Sequence, residues 1–256
     1  MENKTKPTFL KSEKPLIVAM IQCPTPNECI EKITKSLDSG ADALGIQLCR
    51  LKREYRTSEY LRKIFGSCRN KPIYVTSYRG GESEGYTDDE CAQLLLLALD
   101  CGATLLDVMG DMFERSPKYE IAESSAAIEK QKKLIDEIHR RGGEVLMSSH
   151  TYRSISVDEN LMIARAQESR GADILKIVDG MENIDELPGY VESIIKIRKS
   201  TDKKLLFLLT GGGRIIRYIG PNLGVCMYLC VESHSELDTP DQPLIKDIVA
   251  VRNSIV

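Results

Sequence analysis

The chain has 256 residues, 42% hydrophobic and 29% charged, with 35 Lys and Arg against 38 Asp and Glu for a formal charge of −3. That near balance excludes a polybasic partner for nucleic acid or for a membrane surface, and the composition excludes global disorder. No apolar run approaches the ~20 residues of a membrane span, and the start MENKTKPTF lacks the apolar core of a signal peptide, so a cytoplasmic location is expected.

Residues 1–15, polar with two prolines, read as a tail or a short flap under the folded domain. Strands and helices then alternate. The predicted strands are Leu16–Gln22, Ala43–Leu48, Ile73–Ser77, Thr104–Val108, Glu144–Ser149, Ile174–Val178, Leu205–Thr210 and Val225–Val231, most of them apolar enough to be buried on both faces. The predicted helices between them are Asn27–Ser39, Ser58–Ser67, Thr87–Cys101, Ala126–Arg141, Val157–Arg170, Ile184–Lys199 and a short one near Ile215, with Leu244–Ile255 closing the chain. The turns SGAD, CGAT, RGGE and RGAD each place a glycine at a helix end just before a strand. Eight βα units in a chain of this length predict one α/β domain, a (β/α)8 TIM barrel over residues 1–256. Strand one is followed by CPTPN, which is no phosphate-binding fingerprint and argues against an open dinucleotide-binding sheet. The eight cysteines contain no C-x-x-C pair and sit mostly in apolar segments, so they are expected as small core residues, with no metal site.

In such a barrel the active site lies at the C-terminal ends of the strands. Strand six, ADILKIV, puts Lys176 among residues that should be buried. An amine there either gives up its proton and becomes a nucleophile toward carbonyls, or it pairs with a carboxylate such as Asp107; the pattern alone leaves both open. Strand five ends in LMSSHTY, which sets His150 one strand away, about 4.8 Å across the sheet. An imine on the lysine would acidify a neighbouring C–H bond, and the imidazole could move that proton. His139 reads as a solvated helix-end residue and His234 as a surface or lid residue. After strand seven, TGGGRIIRYIG offers Arg217 as a forked donor for a carboxylate, with Arg214 as its competitor and a flexible surface turn as the plain alternative. After strand three, VTSYRGGESEG supplies Arg79, with Glu82 and Glu84 in the loop.

The segments SSHTY, GADILKIV, TGGGRIIRYIG and TPDQP together resemble type I 3-dehydroquinate dehydratase, a family that works through a lysine imine, and the resemblance extends over nearly the whole chain. It implies a lyase that converts 3-dehydroquinate to 3-dehydroshikimate without metal or cofactor, acts on a small anionic cyclic keto acid, and is commonly a homodimer. By the same resemblance Lys176 forms the imine, His150 is the general acid and base for a syn loss of water, Arg217 binds the substrate carboxylate, Arg79 lines the ring pocket and Gln242 closes over the ligand. Glu84 matches the acidic residue of the family loop R-x-x-x-E-G-G with one residue inserted, and is the expected catalytic carboxylate, with Glu82 as the other candidate to support His150. Where the family carries Glu-x-Arg at the end of strand two, this chain has Gly45 and Gln47, and Asp238 stands where the family places a serine facing the substrate. Losing two charge-assisted contacts, each on the order of 1.5–3 kcal/mol, predicts weaker grip on the ring hydroxyls. Arg50, three residues beyond Gln47, would need a bulge to point the same way. A Schiff-base lyase or aldolase for a different hydroxy-ketone acid, or a barrel that binds a ligand without turnover, are the other readings of the same residues.

Overall fold

The computed structural model describes residues 7–255. Eight parallel strands, β1 Leu16–Ile21, β2 Ala43–Gln47, β3 Ile73–Thr76, β4 Leu105–Met109, β5 Glu144–His150, β6 Ile174–Met181, β7 Lys204–Gly211 and β8 Met227–Cys230, form one sheet in the order β7-β6-β5-β4-β3-β2-β1-β8. The remaining seam is bridged where the Cys226 N–H donates to the Leu205 carbonyl at 2.8 Å, so the sheet is a nearly closed (β/α)8 barrel. Every residue of β3, β4, β6 and β8 is buried, as expected for strands covered by helices outside and by side-chain layers inside.

The helices are α1 Pro26–Asp38, α2 Ser58–Gly66, α3 Asp88–Asp100, α4 Ser125–Arg140, α5 Val157–Ser169, α6 Leu187–Ser200, α7 Ile216–Ile219 and α8 Ile245–Ile255. Their starts are set by short polar side chains. Thr25 and Ser124 each accept a backbone N–H of the first turn, and Thr87 with Glu90 and Ser156 with Glu159 form reciprocal capping boxes. Their ends use the glycines of the four recurring turns: Gly40, Gly102, Gly142 and Gly171 all have positive φ. The residue after each returns its N–H to a carbonyl five positions back, as in Ala41 to Ser36 at 3.1 Å and Gly143 to Ile138 at 2.9 Å.

Residues 7–15 lie across the N-terminal end of the barrel. Phe9 is buried and its N–H donates to Glu144 at the start of β5, while Lys204 at the start of β7 donates to the Ser12 carbonyl. These contacts tie residues 7–15 to the strand starts, and the part of the tail-or-flap expectation that concerns residues 1–6 falls outside the described residues. All eight cysteines are free thiols, seven of them buried. Among the described residues no helix is long and apolar enough to cross a membrane.

Three departures from the sequence reading bear on the site. Strand β6 runs to Met181, because Asp179 and Gly180, which interrupt the apolar run, are themselves buried and paired with β7. Helix α6 starts at Leu187, with a 3₁₀ turn over Ile184–Glu186 ahead of it and Pro188 in its first turn, where the missing N–H is harmless. A further 3₁₀ turn, Leu48–Arg50, follows β2 directly and rotates the chain before it leaves the barrel mouth.

Candidate active site

A cavity of about 180 Å³ opens at the C-terminal end of the barrel, and Lys176, His150, Arg217, Gln47 and Gln242 all line it. Five of the residues picked out from the sequence thus meet in one place. Lys176 is the third residue of β6, deep in the wall, and only 3% exposed. His150 closes β5 level with Val178, two residues above Lys176 and therefore on the same side of the sheet.

Lys176 is not a stranded amine. Its Nζ lies 3.1 Å from Asp107 on β4 and donates to the hydroxyls of Tyr78 at 2.5 Å and Tyr74 at 3.2 Å. Both phenols in turn donate to the same Asp107 oxygen. Of the two readings open at the outset, the geometry takes the ion pair, since an isolated ammonium in this apolar wall would cost several kcal/mol. Burial pushes the Asp107 carboxyl up, but the charges of Lys176 and His150 outweigh it and hold the group below its ordinary value. Burial first, and then the Asp107 charge, push both phenols well above theirs, so Tyr74 and Tyr78 remain donors at neutral pH.

His150 is held on three sides. Nδ1 lies 2.7 Å from Glu120 Oε2, which also accepts the His150 backbone N–H. Because a carboxylate only accepts, Nδ1 carries the proton, and in the neutral ring Nε2 is left as the base. The Tyr78 ring meets the imidazole edge-on at 5.2 Å and the Tyr152 ring stacks on it at 5.7 Å. Glu120 and Tyr152 both adopt positive φ, 48° and 51°, a conformation costly for such side chains and one that collects at functional sites.

Three residues named from the sequence lie elsewhere. Glu84, expected beside His150, is exposed: the tight 3₁₀ turn Gly81–Ser83 carries it outward and Arg53 binds its carbonyl. The carboxylate on the histidine is Glu120, from the loop after β4. Arg79 lines an adjoining outer cavity rather than the one holding Lys176, and its guanidinium is taken by Asp88 through two bonds and by Asp111, all at 2.7 Å. Asp238 turns away from the cavity and is neutralised by Lys32 at 2.7 Å, with Gln22 donating to both Asp238 and Gln242. It therefore anchors the strand-eight loop to α1 and presents no charge to a substrate. His139 pairs with Asp173 at the far end of the barrel, and His234 is exposed.

Arg50, Tyr78 and Tyr152 line the cavity as well. The Leu48–Arg50 turn does what a bulge would have done for Arg50. The place of the family's glutamate in strand two is closed: a Cβ on Gly45 would sit 2.3 Å from Met20 Sδ and 3.2 Å from the Tyr74 ring.

The geometry can be set against known proteins. Among solved structures, 3-dehydroquinate dehydratase from Geobacillus kaustophilus superposes with a TM-score of 0.81 at 18% identity, covering 96% of this chain and 93% of that one. Type I 3-dehydroquinate dehydratase from Clostridium difficile, solved with covalently modified comenic acid, gives 0.81 at 18%, covering 96% and 94%. The Enterococcus faecalis enzyme gives 0.77 at 17%, covering 97% and 98%. At these identities the likeness establishes the barrel. No curated protein sequence matches the chain. The sequence model of type I 3-dehydroquinase matches residues 17–255, nearly the whole barrel, and the chain belongs to that family.

Proposed function

We propose that the protein is a hydro-lyase that dehydrates 3-dehydroquinate through an imine on Lys176. The carrying observation is the position of Lys176 Nζ in the cavity wall, in contact with an acid that can take its proton and below an imidazole whose Nε2 is free. Lys176 passes a proton to Asp107, with the Tyr78 hydroxyl bridging the two, and the freed amine attacks the substrate ketone. The resulting carbinolamine loses water to leave a protonated imine. That cation draws electrons from the adjacent carbon, His150 Nε2 removes its proton, and the same imidazole returns the proton to the departing hydroxyl. Hydrolysis of the imine restores the amine and the ketone, so the net change is loss of one water. Arg217 holds the carboxylate, and Gln242 on the strand-eight loop covers the ligand. Family membership supports this reaction class, as does the covalently modified acid in the Clostridium difficile relative.

The test is to incubate the protein with 3-dehydroquinate and borohydride and to map the peptides by mass, while following product absorbance in a parallel assay. The expected result is a reduced adduct on Lys176, with both adduct and turnover abolished in Lys176→Ala, and an adduct still formed, without turnover, in His150→Ala. Turnover by Lys176→Ala would refute the mechanism.

A further inference from the structure

Away from the catalytic cavity, the loop between β1 and α1 brings two cysteines together. Cys23 is 9% exposed and lines a second cavity of about 480 Å³, which lies between α1 and the loop after β8 and shares no lining residue with the first. Cys29, in the first turn of α1, is 1% exposed. Its thiol sits against Cys23, donating to the Cys23 carbonyl at 3.9 Å and in hydrogen-bond contact with the Cys23 sulfur. That contact, helped by the Lys32 charge, holds the Cys23 thiol below its ordinary value against burial and the charges of Asp238 and Glu28. The same contact, together with burial, pushes the Cys29 thiol well above its own. The proton therefore stays on Cys29, and Cys23 carries the more reactive sulfur.

The pair is flanked by the two anchors of the strand-eight loop. Gln22, the residue before Cys23, donates to Asp238 at 3.3 Å and to Gln242 at 3.0 Å. Lys32, on α1 just beyond Cys29, meets Asp238 at 2.7 Å, and Asp238 accepts the backbone N–H and the hydroxyl of Ser235. A disulfide between the two sulfurs is about 2.05 Å long, shorter than any hydrogen-bond contact, so forming it displaces the chain on both sides and takes Gln22 and Lys32 with it.

We propose that Cys23 and Cys29 form a site of oxidation by hydroperoxides, in which Cys23 reacts, Cys29 resolves it, and the resulting disulfide frees the strand-eight loop from its anchors. The Cys23 thiolate attacks one peroxide oxygen, the O–O bond breaks and hydroxide leaves, giving a sulfenic acid on Cys23. The Cys29 sulfur then attacks the Cys23 sulfur, and its proton departs with the hydroxyl as water. The two thiols give up two electrons, and hydrogen peroxide is reduced to two waters. No step passes through Lys176 or His150.

The experiment treats the reduced full chain with hydrogen peroxide, alkylates the remaining thiols and maps tryptic peptides by mass; residues 12–32, which hold both cysteines, fall in one peptide. That peptide is expected to lose two hydrogens and to regain them with dithiothreitol. In Cys29→Ala a dimedone adduct on Cys23 should replace the disulfide, and Cys23→Ser should give neither. Glu236 is exposed in the strand-eight loop, and cleavage after it by a glutamate-specific protease should become roughly threefold faster or more in the oxidised wild-type protein, with no response to peroxide in Cys23→Ser. The wild-type mapping decides the chemistry even where a variant fails to fold. No disulfide, a bond to Cys68 instead, or a Cys23–Cys29 bond with unchanged cleavage after Glu236 overturns the inference.

Discussion

Lys176 and Asp107 meet at 3.1 Å beneath two phenols in the depth of the barrel, whereas Arg50 and Arg217 at the mouth line the same cavity with no Asp or Glu among its described lining residues. In the first region the desolvation cost of each charge is offset within the chain, so the group is held in place before any ligand arrives. In the second, the offset has to come from the ligand, and the unmet charge is what gives a small anion reason to enter. The contrast separates machinery that must be rigid from surfaces that must discriminate. It also predicts that mutations in the two regions fail differently: deep ones through stability, rim ones through affinity.

The most damaging way to break the contrast is to remove the counter-charge at depth. Asp107→Asn leaves Lys176 charged and only 3% exposed with no anion beside it, and should cost about 3–5 kcal/mol in chemical denaturation. Adding Lys176→Met to that variant should recover most of the loss, because the orphaned charge is then gone. Failure of the double variant to regain stability would mean that the pair is not what Asp107 contributes.

Asp179 sharpens the comparison, being a fully buried aspartate beside Val178 with no cation paired to it among the described residues. Burial raises it from 3.8 to about 7, against hydrogen bonds from Thr151 and Asn160 and the charge of Arg153, with Glu159 adding to the rise. Below about pH 4 the carboxyl is protonated whether the chain is folded or not, and it has no effect on stability. Between about 4 and 7 the folded state holds a proton that the unfolded state has lost, so stability falls as pH rises and levels off above 7. Asp179→Asn removes that loss while keeping an acceptor for Thr151. The variant should match wild type near pH 4 and be more stable at pH 8, by a gap on the order of 4 kcal/mol, read from denaturation midpoints across the range. A parallel pH dependence in the two proteins would show that Asp179 is already ionised in the fold.

Most of this was legible along the chain, and what was not has a common cause. The alternation of apolar runs with helical segments and the four glycine turns carry the barrel, because burial on both faces and a left-handed cap are local requirements that residue types report directly. Lys176, with Asp107 offered as a partner in one of its two readings, His150 and Arg217 stood out as polar residues ending or interrupting strands. Arg50 was noticed but its direction was not legible, since that depends on a 3₁₀ turn that no periodicity announces. Tyr74 and Tyr78 did not stand out, and read as ordinary strand and strand-end aromatics until their hydroxyls are seen on Asp107. Arg79 and Asp238 carry the right chemistry but spend it on Asp88, Asp111 and Lys32. Long loops decide these cases, and their geometry is set by contacts far away in sequence.

Glu120 against Glu84 tests that lesson with the smallest expected effect. Glu120 was one of several acids in the loop between β4 and α4, and nothing in its spacing distinguished it from Asp111, Glu114 or Glu123. The fold brings it to His150 Nδ1 by holding its backbone at φ 48°, while the glutamate that the sequence favoured ends up in solvent. In Glu120→Gln the amide oxygen still accepts from Nδ1, so the ring keeps its orientation, but the negative charge that would stabilise an imidazolium in the proposed proton transfer is lost. Turnover should fall about tenfold, the scale of a charge-assisted contact worth near 1.4 kcal/mol, whereas borohydride trapping on Lys176, which precedes that transfer, should stay within twofold. Glu84→Gln should change neither. If Glu84→Gln slows turnover and Glu120→Gln does not, the loop after β3 must close over the cavity during catalysis, and the carboxylate that assists the histidine would be the one the chain's sequence pointed to.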